Sequence, residues 1–166
     1  MLDSALHNGK IIVFGVGNFY RSDDAVGLIV LEKLRSQNLR GVLLIEIVGD
    51  GLSLIQEWTE RDKVIIIDAV SSGSSPGTIF RFDLLKQQIP NKKFHFSSHT
   101  FDIISAIELA AQLKKLPSEL RLFAIEGKSF GFGSVISPEV FEASKIVAHD
   151  VMDLCKAHQI TIKSEQ

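Results

Sequence analysis

The hydrophobic residues of this chain form two alternating patterns, short continuous apolar runs and longer segments with helical spacing. Runs that are apolar at successive positions are typical of central strands with both faces covered. The segments with a period near 3.6 predict four helices, which begin near residues 22, 52, 103 and 138. The runs predict five strands, at Ile11–Phe14, Val42–Val48, Val64–Ile67, Thr78–Phe82 and Leu120–Ile125.

The order of these elements predicts an α/β fold, a three-layer sandwich with helices on both faces of a five-stranded, mostly parallel, twisted sheet. The fourth strand follows the third after about ten residues with no helix, so we expect it to be the one antiparallel strand. A chain of 166 residues fits a single domain. We therefore predict one domain over residues 1–166, with an ordered core over about 9–157.

Composition and charge narrow the classes of function. The chain is 45% hydrophobic and 23% charged, which excludes a disordered protein. A net charge of −2 gives no basic surface for nucleic acid or an anionic membrane. A single cysteine, Cys155, excludes a disulfide framework and suits a reducing compartment. The first residues do not resemble a secretory signal, and no apolar run reaches the ~18 residues of a membrane span. We therefore expect a cytoplasmic protein.

Three polar residues stand where an α/β sheet places its ligands, outside the carboxyl ends of the strands. Asp24 follows the first strand, Asp68 closes the third strand, and His99 precedes the third helix. Simpler interpretations exist, since Asp23 or Asp24 would cap a helix and His99 would bond to nearby backbone. Asp68 is harder to explain in that way, because burying a carboxylate is costly unless it is paired or binds a cation. The three side chains can converge at one site.

Two further motifs suggest other chemistry. Gly15-x-Gly17 begins like a dinucleotide-binding loop, but the third glycine of that fingerprint is replaced by Tyr20, so no nucleotide is expected. Residues 127–131 match the Gly-x-Ser-x-Gly pattern of a serine hydrolase and follow a strand. The β-branched residues after Gly133 argue against the helix that this pattern needs. A serine hydrolase that uses Ser129 remains the alternative.

Five segments stand out by their order and spacing along the chain. They are Gly15-Val16-Gly17-Asn18, Asp23-Asp24-Ala25-Val26-Gly27, Ile66-Ile67-Asp68-Ala69, Pro76-Gly77-Thr78 and Ser98-His99. In this combination they resemble the hydrogenase maturation endopeptidases, over roughly residues 10–155. The resemblance implies an endopeptidase that removes the C-terminal extension of a [NiFe] hydrogenase large-subunit precursor after nickel has been inserted. The precursor is then the partner, and nickel arrives with it.

The same resemblance implies the roles of the site residues. Asp24, Asp68 and His99 correspond to the nickel-recognition residues of the family. Two oxygens and one nitrogen leave coordination positions open, which suits a metal already held by another protein. With no better nucleophile visible, we expect Asp24 or Asp68 to assist a water molecule as the catalytic base. A non-catalytic chaperone of this fold that senses nickel is the remaining alternative.

Overall fold

The computed structural model describes residues 9–49, 51–90, 94–96 and 103–164, with side chains as far as residue 158. Short 3₁₀ turns at Ser22–Ala25 and Gly51–Ser53 precede the first two α-helices. None of the helices in these ranges is both long and apolar enough to cross a membrane. The strands are β1 (Ile11–Val16), β2 (Val42–Ile47), β3 (Lys63–Ser71), β4 (Ile79–Asp83), β5 (His95–Phe96) and β6 (Glu119–Glu126), and the helices are α1 (Val26–Arg35), α2 (Leu54–Glu57), α3 (Ile103–Gln112) and α4 (Pro138–Ser164).

These strands form one six-stranded sheet with the order β2-β1-β3-β6-β4, and β5 pairs with the end of β3. β1 is parallel to β2 and to β3, and β3 is parallel to β6. β4 runs antiparallel to β6, which confirms the α/β class and the antiparallel fourth strand. The count of five strands was one too low. The antiparallel strand β5 has only two residues, so it leaves no apolar periodicity in the sequence.

The predicted helical layers on both faces of the sheet are confirmed. Along β1, Ile11 and Val13 face one core, which they share with α1 and α4. The alternate residues Ile12 and Phe14 face a second core, which contains Leu54 of α2 and the first residues of α3. Both faces of the central strands are therefore apolar, because each strand is covered twice.

Two element boundaries differ from the prediction. The third strand was expected to end at Asp68, but β3 continues to Ser71 and Asp68 lies within it. The strand continues because β6 pairs with it as far as Val70 and β5 pairs with Val70 and Ser71. The last helix begins at Pro138 as expected and runs to Ser164, past residue 157, where we placed the end of the core.

Helix α1 makes direct backbone contact with the end of β1 and with Ile67 of β3. A Cβ atom on Gly15 would lie 2.4 Å from the carbonyl oxygen of Gly27. A Cβ atom on Gly27 would lie 2.3 Å from the oxygen of Val16 and 2.5 Å from that of Ile67. The glycines of this region therefore allow close helix–strand packing. The contact fixes the first turn of α1 on the carboxyl edge of the sheet.

Replacing Gly27 by alanine should destabilise the fold severely. The added methyl group would clash with backbone atoms, which cannot move aside as a side chain can by changing its rotamer. We expect Gly27→Ala to lower the free energy of unfolding by more than about 2 kcal/mol, as measured by urea denaturation. Gly131→Ala is the matched control, because a Cβ atom there meets nothing within 4 Å. A Gly27→Ala protein as stable as Gly131→Ala would contradict the packing described here.

Candidate active site

The site lies at a topological switch point of the sheet. From β1 the chain passes through α1 to β2 on one side, whereas β3 lies on the other side of β1. Ligands of open α/β sheets bind at such a point, outside the carboxyl ends of two neighbouring strands whose connections run in opposite directions. Gly15 and Ile67 form the last β1–β3 pair, so Asp68 is the first residue of β3 beyond β1.

Asp68 is fully buried at this point. Its Oδ1 accepts a hydrogen bond of 2.7 Å from the backbone N–H of Ala69. Strand alternation places Asp68 on the same face as Ile66 and Val70, which belong to the core under α2 and α3. The carboxylate therefore interrupts an apolar stripe. Only a specific partner or a cation can offset the free-energy cost of removing it from water there.

Asp24 lies in the 3₁₀ turn before α1, which contacts β3. Its backbone N–H donates to the carbonyl of Arg21 (3.1 Å), and its own carbonyl accepts from the N–H of Asn18 (3.3 Å). The side chain is buried, and its Oδ1 has no hydrogen-bond partner among the described residues. A buried carboxylate oxygen without a donor is unfavourable, and a bound cation would stabilise it.

The simpler interpretation, in which Asp23 or Asp24 caps a helix, is wrong. Ala25 is the N-cap residue of α1, and no side chain bonds to the free N–H groups there. The fully buried carboxylate of Asp23 is bound elsewhere, by the long loop between β6 and α4. It accepts from the N–H groups of Lys128 (2.8 Å), Ser129 (2.9 Å) and Ser137 (2.6 Å), and from the Ser137 hydroxyl (2.8 Å).

The backbone of that loop also pairs with the segment after β1. The N–H of Ser22 donates to the carbonyl of Gly133 (2.8 Å), and the N–H of Gly133 donates to the carbonyl of Tyr20 (2.9 Å). Asp23 donates its N–H to the carbonyl of Ser129 (3.0 Å). No helix follows Ser129 until Pro138, so the strand–turn–helix context of a serine nucleophile is missing.

Glu126 is a buried acid at the same edge that the sequence reasoning missed as a site residue. It ends β6, and its carboxylate accepts from the N–H and hydroxyl of Ser72 and from the N–H of Gly73. The signal was present in the sequence, since an acid also closes this apolar run. Because its carboxylate accepts these hydrogen bonds, Glu126 anchors the loop after β3.

His99 lies outside the described residues. On one side of it in the chain, Phe96 pairs with Val70 of β3. On the other side, Ile103 begins α3 and is buried in the core that Asp68 faces. Within the described ranges, no three His, Cys, Asp or Glu side chains form a group that could hold a metal ion. Of the three predicted site residues, the structure places Asp24 and Asp68 at the same edge of the sheet.

Cys155 is buried in the core between the sheet, α1 and α4, as its place in the apolar stripe predicts. Burial raises the pKa of this thiol to about 11, because the apolar surroundings disfavour the thiolate. A thiolate is the nucleophilic form of cysteine. Cys155 is therefore not a candidate nucleophile.

Solved structures of two hydrogenase maturation proteases share this fold. The hydrogenase maturating endopeptidase HybD from Escherichia coli superposes with a TM-score of 0.71, over 90% of this chain and 93% of that one, at 21% sequence identity. The [NiFe] hydrogenase maturation protease HybD from Thermococcus kodakarensis gives a TM-score of 0.69 at 21% identity, over 88% of this chain and 99% of that one. At such identities the likeness shows the fold alone.

Sequence comparison shows the family. The model of the hydrogenase maturation protease family matches residues 29–154. A Methanocaldococcus jannaschii protein named as a hydrogenase maturation protease is 31% identical over 143 residues, which are 80% of this chain and 88% of that protein. The hydrogenase 2 maturation protease of Escherichia coli is 30% identical over 111 residues, 64% of this chain and 68% of its own. The chain belongs to the hydrogenase maturation protease family and is a peptidase.

The two adjacent acids should respond in opposite ways to substitution. Asp23→Asn removes a buried acceptor of four hydrogen bonds and should lower the free energy of unfolding by about 2–4 kcal/mol. Asp24→Asn removes a buried charge that lacks a donor at Oδ1, so stability should stay within about 0.5 kcal/mol or rise. Urea denaturation followed by circular dichroism measures both. An equal loss in Asp24→Asn would show that its carboxylate is a structural partner.

The buried thiol should be inert in the folded protein. We expect Cys155 to react with a disulfide reagent at pH 7.5 at least about a hundredfold more slowly in the native state than in 6 M urea, because thiolate and access are both lacking. The rate of thiol labelling in each solvent checks this. Rapid labelling of the native protein, or loss of proteolysis in Cys155→Ser, would contradict the exclusion of Cys155 as a nucleophile.

Proposed function

We propose that this chain is the endopeptidase that removes the C-terminal extension of a [NiFe] hydrogenase large-subunit precursor once nickel has been inserted. Family membership supports the peptidase activity and a hydrogenase precursor as the substrate. The observation that carries the nickel-dependent step is the pair of buried acids, Asp24 and Asp68, at the switch point of the sheet. The buried Oδ1 of Asp24, for which the described residues supply no donor, is the strongest sign that a cation completes this site.

In this proposal Asp24, Asp68 and His99 recognise the nickel that the precursor holds. Two ionised carboxylates in a site with little water repel each other, and a divalent cation removes that penalty. Two carboxylate oxygens and an imidazole nitrogen leave positions for ligands from the precursor itself. A precursor without nickel offers no such cation and binds less tightly. Selectivity is then a difference in binding between two states of one substrate.

The position of His99 in the chain is consistent with this role. The described residues on both sides of it, Phe96 and Ile103, contact the end of β3 or the core that Asp68 faces. An imidazole adds a borderline nitrogen ligand to two hard oxygens, a set that suits a late first-row metal such as nickel.

We infer that water, and not a side chain, attacks the peptide bond. Asp24 or Asp68 acts as the base that takes a proton from this water, and the proton is then available to the leaving amine. Binding of the precursor's metal would hold the peptide bond beside the carboxylates. This proximity would account for much of the acceleration of hydrolysis. Ser129 is a weaker candidate for the nucleophile, because no helix follows it until Pro138 and its backbone groups are bonded to Asp23.

Asp68→Asn should abolish processing while the fold is retained. We expect the rate of cleavage of the nickel-loaded precursor, followed as loss of mass at its C-terminus, to fall by at least about a hundredfold. Asp62→Asn is the matched control, because Asp62 is also a buried acid but accepts from Lys10 and Thr59 at the other end of β3. It should lose stability and keep its cleavage rate. Ser129→Ala should also keep it.

The same assay separates the alternatives. Nickel-free precursor should remain uncut by the wild-type protein. Cleavage by Asp68→Asn at the wild-type rate would contradict the role of Asp68, and cleavage without nickel would contradict metal recognition. Loss of activity in Ser129→Ala alone would favour the serine hydrolase. Binding of the loaded precursor with no loss of mass would favour a nickel-sensing chaperone.

A further inference from the structure

Four large apolar side chains project into solvent beside the acidic pair. Tyr20 is 77% exposed and Phe19 is 39% exposed, and both follow β1. Phe132 is 97% exposed and Val135 is 80% exposed, and both lie in the loop between β6 and α4. We call these four residues the aromatic rim. Exposed apolar groups gathered in one place are typical of an interaction surface.

The backbone under the aromatic rim is held in place on both sides. Gly133 bonds to Tyr20 and to Ser22, and the guanidinium of Arg21 donates to the carbonyl of Phe130 at 3.1 and 3.3 Å. Ser22 has a φ of 53°, a conformation that is unfavourable for a residue other than glycine. The surrounding hydrogen bonds stabilise it. Apolar side chains on such a fixed backbone lose little entropy when a partner binds.

The charges around the aromatic rim identify the chemistry of its partner. Residues 129–137 include no charged side chain. The nearest cations are engaged, Arg21 by a backbone carbonyl and Lys128 by Glu139 at 3.6 Å. Exposed aromatic groups beside a loop that has no charged residue favour an uncharged, apolar segment over an acidic or basic one.

The aromatic rim is also continuous with the acidic pair. Asn18 donates its N–H to the carbonyl of Asp24, and the Asp23 carboxylate bonds to the start of the loop that carries Phe132. The segments that carry the aromatic rim are thus hydrogen-bonded to the turn that holds Asp24, so a polypeptide bound at Asp24 lies close to them. A second copy of this chain need not bind there.

We propose that the aromatic rim docks an uncharged, apolar segment of the precursor polypeptide next to the bond that is cut. This inference rests on the proposed function, which supplies a polypeptide substrate at this edge. Tyrosine and other aromatic residues at the centre of interfaces commonly contribute much of the binding energy. The aromatic rim thus binds the polypeptide, and the acids detect the metal.

The test is the double variant Tyr20→Ser/Phe132→Ser with the nickel-loaded precursor. We expect KM to rise at least about thirtyfold, with kcat within about twofold of the wild-type value. Leu113→Ser/Ile146→Ser is the matched control, because these side chains are 52% and 51% exposed and lie away from the site, after α3 and on α4. It should leave KM unchanged. The single variant Phe132→Ser removes a side chain with almost no contacts and should raise KM by about tenfold, so a folding defect cannot hide the effect.

Binding of nickel-free precursor provides a second readout that does not depend on cleavage. We expect the double variant to weaken the Kd for this precursor at least about thirtyfold, and Asp68→Asn to leave it unchanged. An unchanged KM and Kd in the double variant would overturn this inference even if the wild-type protein cleaves as proposed. A wild-type protein that binds but never cleaves would overturn the proposed function alone. Sedimentation that shows a wild-type dimer and a monomeric double variant would assign the aromatic rim to a second copy, and would also overturn the inference.

Discussion

The backbone contact of α1 with the end of β1 and with Ile67 of β3 is the constraint on which the site depends. Gly15 and Gly27 allow this contact because neither has a Cβ atom. The start of the helix is thereby fixed at the carboxyl edge of the paired strands β1 and β3. The turn before it is then held against β3, which places Asp24 at the same edge as Asp68. A larger residue at either glycine would move the helix and with it the acid.

The buried acids of this edge differ in how their charge is stabilised. Asp23 and Glu126 accept backbone and hydroxyl hydrogen bonds, and each holds one loop in place. Such donors stabilise the ionised form without any ligand. Asp24, next to Asp23 in sequence, has a buried oxygen for which the described residues supply no donor. Among the described residues, the fold thus supplies donors to its structural carboxylates and none to this oxygen of Asp24, which is the arrangement that the proposed metal site requires.

Local periodicity was enough to predict the layers of the fold, because an apolar run on both faces of β1 or β3 reports directly that both faces are covered. The end of β3 was not predictable in this way, since it depends on pairing with β5 and β6. The partners of Asp23 lie 105 to 114 residues away, so the sequence showed two adjacent acids but not which of them is bonded. The placement of Asp24 and Asp68 at one edge was predictable, because the carboxyl edge of a parallel sheet is a topological feature that the order of elements already implies.

On the proposed assignment, the acids and the aromatic rim make different contributions to substrate choice. Apolar contacts with the polypeptide are the same whether or not the precursor holds nickel, so they add affinity equally to both states. Discrimination between the states comes only from groups that sense the metal, which are the buried carboxylates and the imidazole. A larger apolar surface would raise occupancy by unloaded precursor without improving the choice. The aromatic rim consists of only a few side chains and lies beside a site whose charge the cation balances. On this proposal the protein therefore combines sufficient affinity for the polypeptide with selectivity for the nickel-loaded precursor.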